Sequence, residues 1–224
     1  MSRPQADLDR LSLVAMQSRA SNKVDQCRTR VRIIETATQL YRKIGHKKTT
    51  VADIAHEISM SPANVYRFFH SKRAIEEAVA EELYKEIIAA AADAANRAGS
   101  SIERFRAVLQ SVERQLKSKA DNDSRLYELV ATARRDKWAV AAAYADFITS
   151  TVAQVISQGQ AGGEFAQGES LTLAQCVLSA TSAYLNPSLV PASANVARPT
   201  LTEMIDFCIG ALRAGARWQG FAAA

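Results

Sequence analysis

Residues 49–72 read TTVADIAHEISMSPANVYRFFHSK, and their reading decides the fold. Val51, Ile54, Ala55 and Ile58 recur at i, i+3, i+4 and i+7, the apolar stripe of a short helix that Thr50 can cap. Ser61 and Pro62 then mark a second start, a good N-cap followed by the residue best suited to the first helical position. Val65, Phe68 and Phe69 form the buried side of this second helix and leave Ala63, Asn64, Arg67 and His70 outward or lateral. Helices of about eight residues are marginal in water unless tertiary packing holds them. Two such helices crossing steeply after a tight turn form a helix-turn-helix, whose second helix enters the DNA major groove.

The flanks supply the packing. Upstream, from Arg28, the residues Ile33, Ala37, Leu40, Tyr41 and Ile44 form one stripe of an amphipathic helix, and Gly45 ends it. Downstream, Ser71 can cap a helix in which Ile75, Val79, Leu83 and Ile87 carry the stripe into an alanine-rich stretch that fades near residues 96–100. Further helices are expected at about 102–117, 124–136, 138–158, 171–184 and 201–213, separated by loops such as GQAGGEFAQGES and NPSLVPASANVARP. With 48% hydrophobic residues, nine glycines, five prolines and no extended alternating pattern, the chain reads as all-α. The expected organisation is an arm over residues 1–27, a three-helix DNA-binding domain over 28–74, and a helical bundle over 75–224 for effector binding and dimerisation. The arm, polar apart from Leu11, Leu13 and Val14, reads as a flexible segment or a weak extra helix.

Charge divides the chain in the same way. Residues 1–75 hold 14 Lys/Arg against 6 Asp/Glu, a surplus of +8, while the remainder holds 14 against 17, a balance of −3. A basic first third suits a polyanion partner. Cys27, Cys176 and Cys208 are too scattered for a disulfide framework or a zinc site, which fits a reducing cytoplasm, and no metal site is expected. The start, broken by charges, lacks the apolar core of a signal peptide. Residues 138–156 carry a single charge, Asp146, but their many small and polar residues read as a helix inside a bundle rather than a membrane span. His46, His56 and His70 all lie inside the basic helix-turn-helix region, and no nucleophile, base and orienter cluster appears elsewhere, so no catalytic residue and no cofactor is expected.

The outward face of the second short helix has the chemistry for reading DNA. Ala63 permits close approach, and the Asn64 amide can donate to and accept from a base edge. Tyr66 and His70 can reach phosphate oxygens, as can Lys72 at the start of the next helix, with Lys47 and Lys48 as further candidates.

The stretch TTVADIAHEISMSPANVYRFFHSKRAI resembles the helix-turn-helix of the tetracycline-repressor (TetR) family of bacterial transcriptional regulators. The family pattern is met at Thr50, Val51, Ile54, Ala55, Ser61, Val65, Tyr66, Phe69, Ser71 and Lys72, with Ile75 in place of leucine. Two departures stand out: Ile58-Ser59 replaces the usual Ala-Gly, so Ser59 must accept a turn geometry that glycine takes more cheaply, and Phe68 replaces a frequent histidine or tyrosine. The resemblance implies that Thr50, Tyr66, His70 and Lys72 grip the sugar-phosphate rail while Pro62, Ala63, Asn64 and Arg67 approach bases; Lys48, Thr49 and Ser61 complete the expected DNA-binding set. The arm, with Arg10, Arg19 and Lys23, is a further candidate for contact with flanking DNA.

The second part resembles the family more loosely, in its helical layout and in GEF followed by NPSLV. Residues 171–185 contain no charge, and the apolar residues of 204–212 spread round most of a helix, so both segments need covering on two sides. A homodimer interface is therefore expected at Val177, Leu178, Thr181, Ile205, Cys208, Ile209 and Leu212. A pocket for a small apolar or aromatic effector is expected among Phe105, Leu109, Tyr127, Trp138, Tyr144, Phe147 and Tyr184. The function expected is a ligand-responsive repressor, cytoplasmic and bound to the nucleoid when on DNA, that recognises a palindromic operator. The competing reading is a helical small-molecule carrier or adaptor that does not bind DNA.

Overall fold

The computed structural model describes residues 4–186 and 199–215, with side chains from residue 24 onward. Ten α-helices occupy these residues, and no strand occurs among them: α1 Pro4–Ile44, α2 Val51–Glu57, α3 Pro62–Tyr66, α4 Lys72–Ala95, α5 Ser101–Asn122, α6 Ser124–Arg135, α7 Ala139–Ala161, α8 Ser170–Ala180, α9 Ser182–Leu185 and α10 Leu201–Ala214. The chain divides into two compact units, Met1–Val79 and Ala80–Ala224, and the division falls within α4. The helix expected from Arg28 begins at Pro4 instead, so there is no break at residue 27. The side chains of Arg10, Arg19 and Lys23, and residues 187–198 with most of NPSLV, lie outside the described residues.

In the first unit, each short helix is started by its own neighbour. Thr50 and Asp53 form a capping box at α2, in which the Thr50 hydroxyl accepts from the Asp53 amide and the Asp53 carboxylate accepts from the Thr50 amide at 2.8 Å. Ser61 accepts from the Asn64 amide with Pro62 at the first position of α3, and Ser71 accepts from the Ala74 amide at α4. The core is Ile33, Ala37, Tyr41, Ile54, Ala55, Val65, Phe69 and Ile75, all buried. Gly45 closes α1 at φ +87°, a conformation that glycine adopts without strain. Ser59 sits at φ +55°, as its place in the turn demands, at a cost of about 1 kcal/mol relative to a residue without a Cβ.

In the second unit, α7 packs against α5, α6 and α8. It is long and apolar enough to cross a membrane by composition, but Tyr144, Ile148, Val152, Val155 and Ile156 are buried against its neighbours. The GEF loop acts at a distance along the chain. The Glu164 carboxylate accepts from the Ser101 and Ile102 amides, at 2.7 and 3.2 Å, and so caps the start of α5. Phe165 is buried edge-to-face against Phe105, and its ring lies over Gly159, where a Cβ would come within 2.3 Å of it. The helix expected over 171–184 is broken at the buried Thr181, whose hydroxyl bonds the Val177 carbonyl at 2.8 Å before α9 begins.

Candidate nucleic-acid interface

Helix α3 presents an exposed surface built by its caps. With Val65 and Phe69 turned inward, Pro62, Ala63, Arg67 and His70 are exposed, Asn64 is half-buried, and Tyr66 remains 47% exposed despite its large ring. Exposed Lys48 and Thr50 stand at the start of α2, although the Thr50 hydroxyl is already engaged with Asp53 at 2.8 Å. Ser61 is exposed, and its hydroxyl oxygen is committed to the Asn64 amide. Thr49 does not join this surface. It is fully buried, and its hydroxyl donates to the Gly45 carbonyl at 2.9 Å, so it shapes the turn and has no route to a phosphate.

The edge of this surface is organised by a buried carboxylate that no motif or periodicity marks. Glu76, on the first turns of α4, faces His46 Nδ1 at 3.3 Å, Lys72 Nζ at 3.6 Å and Arg73 Nε at 3.6 Å. Lys72 also donates to the Lys47 carbonyl at 3.3 Å, which draws its ammonium back over the α1–α2 turn. His46 is therefore a packed residue of the turn, buried against Tyr41, rather than a surface group. Arg30 is equally invisible to sequence reasoning. Its guanidinium lies 4.1 Å from the centre of the Phe69 ring and donates to the Phe68 carbonyl at 3.1 Å, which ties α1 to the residues after α3. Long-range pairs of this kind carry no periodicity for a sequence to reveal.

Residues 33–79 match the family described as "Bacterial regulatory proteins, tetR family", and residues 101–203 match the "Tetracyclin repressor-like, C-terminal domain". The chain belongs to the tetR family of bacterial regulatory proteins. It is a DNA-binding transcriptional regulator of the helix-turn-helix type. Solved structures agree on the fold. The TetR-family regulator PfmR of Thermus thermophilus is 18% identical, with a TM-score of 0.51, over 82% of this chain and 98% of that one. The fatty acid degradation regulator FadR of Bacillus halodurans is 15% identical, with a TM-score of 0.59, over 84% and 96%. A TetR/AcrR-family regulator of Thermobifida fusca is 22% identical, with a TM-score of 0.55, over 84% and 98%. No curated protein matches the chain.

The regulator's second unit holds a cavity of about 110 Å³ between α5, α6, α7, α8 and α9. Of the seven residues expected to form an effector pocket, only Tyr144 lines it. Phe105, Leu109, Tyr127 and Trp138 are buried in the core, Phe147 is exposed, and the Tyr184 hydroxyl donates to the Pro199 carbonyl. Burial raises the Tyr127 phenol to about 12 and the Tyr144 phenol further still, so both remain protonated at neutral pH.

The expected dimer residues fall into two groups. Thr181, Ile205 and Ile209 are buried within the regulator's own chain and Leu178 lines the cavity, whereas Val177, Cys208 and Leu212, although largely buried, also line the apolar groove that Phe207 borders. Among the described residues, α8 and α10 also carry exposed apolar side chains. Phe207 is 68% exposed and borders an apolar groove with Cys176, Ala180 and Ala211, and Leu171 is exposed nearby on α8. Both faces of each helix are apolar, so periodicity could not say which one the chain would keep for itself.

Proposed function

We propose that this regulator is a ligand-responsive repressor that binds a palindromic operator as a homodimer in the bacterial cytoplasm. The observation that carries the reading is the surface formed by exposed Ala63 and Tyr66 and half-buried Asn64 on α3 with exposed Arg67 and His70 just after it, held at a fixed attitude by the Ser61 and Ser71 caps and flanked by Lys48 and Lys72. Asn64 and Arg67 offer donors to base edges, and the cations and hydroxyls offer phosphate contacts. Pairing through Phe207, Cys176, Ala180 and Ala211 would cover the exposed apolar groove and supply two reading heads for a twofold site. A ligand in the second unit represses or releases only through different affinities for the DNA-bound and free forms.

The test is binding to duplexes selected from a random pool. Asn64→Ala is expected to relax preference at particular base pairs by about 1–3 kcal/mol, while Lys72→Ala weakens all duplexes alike and reduces the salt slope by about 1. Identical behaviour of the two variants removes the assignment of bases to one and phosphates to the other, and salt-insensitive or absent binding favours the carrier reading. Phe207→Glu is expected to shift the protein from dimer to monomer in analytical ultracentrifugation and to lower affinity for a palindrome far more than for a half-site.

A further inference from the structure

The cavity in the second unit is lined by hydrocarbon and by polar groups, which include Thr149, Ser182 and Asn186. Val112, Ile148, Leu178 and Leu185 supply the apolar wall. The same lining includes Arg134, from the last turn of α6, and Tyr144, from α7. Among the described residues no carboxylate pairs with Arg134, although other arginines of the chain do form such pairs: Arg106 with Asp206, Arg135 with Asp136 and Arg73 with Glu76. The Tyr144 ring stacks on Tyr84 with centroids 4.4 Å apart, which fixes where its hydroxyl points. Tyr84 donates its own hydroxyl to the Val130 carbonyl, at 3.2 Å, whereas the Tyr144 hydroxyl makes no hydrogen bond among the described residues. A guanidinium with no counter-ion and a positioned phenol with no acceptor among the described residues, beside apolar side chains, together describe the complement of a carboxylate carrying a short hydrocarbon tail. Volume restricts the tail: about 110 Å³ is somewhat less than the ~150 Å³ of an engineered cavity that takes up benzene.

We propose that the effector is a small monocarboxylic acid, its carboxylate held by Arg134 and the Tyr144 hydroxyl and its tail against Val112, Ile148, Leu178 and Leu185; this rests on the reading of the protein as a ligand-responsive regulator. A cation at the end of α6 is also favoured by the helix dipole, which would leave Arg134 as an ordinary solvated side chain. That role predicts no discrimination between an acid and its amide. The stacked tyrosines keep the anion site rigid. Their phenols stay protonated because they are buried, so Tyr144 faces an anion as a donor and not as a competing charge.

The experiment measures binding of propionate, butyrate, hexanoate and benzoate to the full-length protein by calorimetry and thermal shift, each against its primary amide. Acids are expected to bind and raise Tm, with the amides at least tenfold weaker. Arg134→Gln, at an exposed position that leaves the apo Tm unchanged, should abolish the preference for acid over amide. Tyr144→Phe should weaken acid binding several-fold, and Ala145→Leu, which fills the cavity while leaving the charge in place, should abolish binding of both. Equal affinity for acid and amide, or full acid binding by Arg134→Gln, overturns the proposal. Acid binding through Arg134 that leaves DNA affinity unchanged supports the site and instead defeats the ligand-responsive reading.

Discussion

The two units are all-helical and both start helices with local caps, but the second adds a cap brought from far along the chain. In the first unit α2, α3 and α4 are each capped by a residue within three positions of the amide it serves: Thr50 with Asp53, Ser61 with Asn64, Ser71 with Ala74. In the second, Ser100 with Glu103, Glu169, and Thr200 with Glu203 cap α5, α8 and α10 locally, and α5 also takes the Glu164 carboxylate from more than sixty residues away. The first unit holds short helices at set angles, which demands a defined start for each. The second stacks long helices, where the joints between distant segments matter more than their ends. Local solutions are legible in a sequence, and distant ones are not.

The largest expected effect tests the distant joint. Phe165→Ala removes the ring that fills the space over Gly159 and against Phe105, and should cost about 3–5 kcal/mol in urea unfolding. A loss near that of an exposed phenylalanine would mean that the loop is decoration and the contrast between units is false. A smaller effect of opposite sign is expected in the first unit. Ser59→Gly relieves a side chain at φ +55° and should stabilise by about 0.5–1 kcal/mol, read as a raised Tm. Destabilisation there would show that the serine makes a contribution its local geometry does not reveal.

The smallest effect is with acid. Backbone amides hold the carboxyls of Asp53, Glu103, Glu164 and Glu203 below their ordinary range, and the Thr172 hydroxyl and backbone amides do so for Glu169. A depressed carboxyl contributes stability that is complete above its unfolded value and is lost as the pH falls through its folded value. Four of these five groups belong to the second unit, so acid should loosen the first turns of α5, α8 and α10 more than it affects the first unit as a whole. Amide exchange across the acid range reads this directly, and uniform loosening would count against it.

How much is legible follows the same division. The helix starts at Thr50, Ser61 and Ser71, the glycine turn at Gly45 and the cost at Ser59 are all visible in the sequence, because each depends on residues within a turn of one another. The five later helices are also legible to within a few residues of their observed ends, apart from the break at Thr181. Thr49 is the exception in the reading head, because threonine in a turn serves equally as an exposed ligand or as a buried strut, and only packing chooses between them. Arg30 and the pairing of Glu76 with His46 escape notice because the partners lie far along the chain, although Lys72 and Arg73 stand within one helical turn of Glu76.

The chain's residues alone determined that it is helical, where its short helices begin, and that a basic reading head precedes a mildly acidic body, since caps, periodicity and net charge are local or additive properties. Only the folded structure decided which face of α8 and α10 stays uncovered, which aromatic reaches a cavity and which arginine stands there unpaired among the described residues. Those outcomes depend on close packing among segments that no spacing rule connects, and a helix apolar on both sides has no inward face until its neighbours are in place.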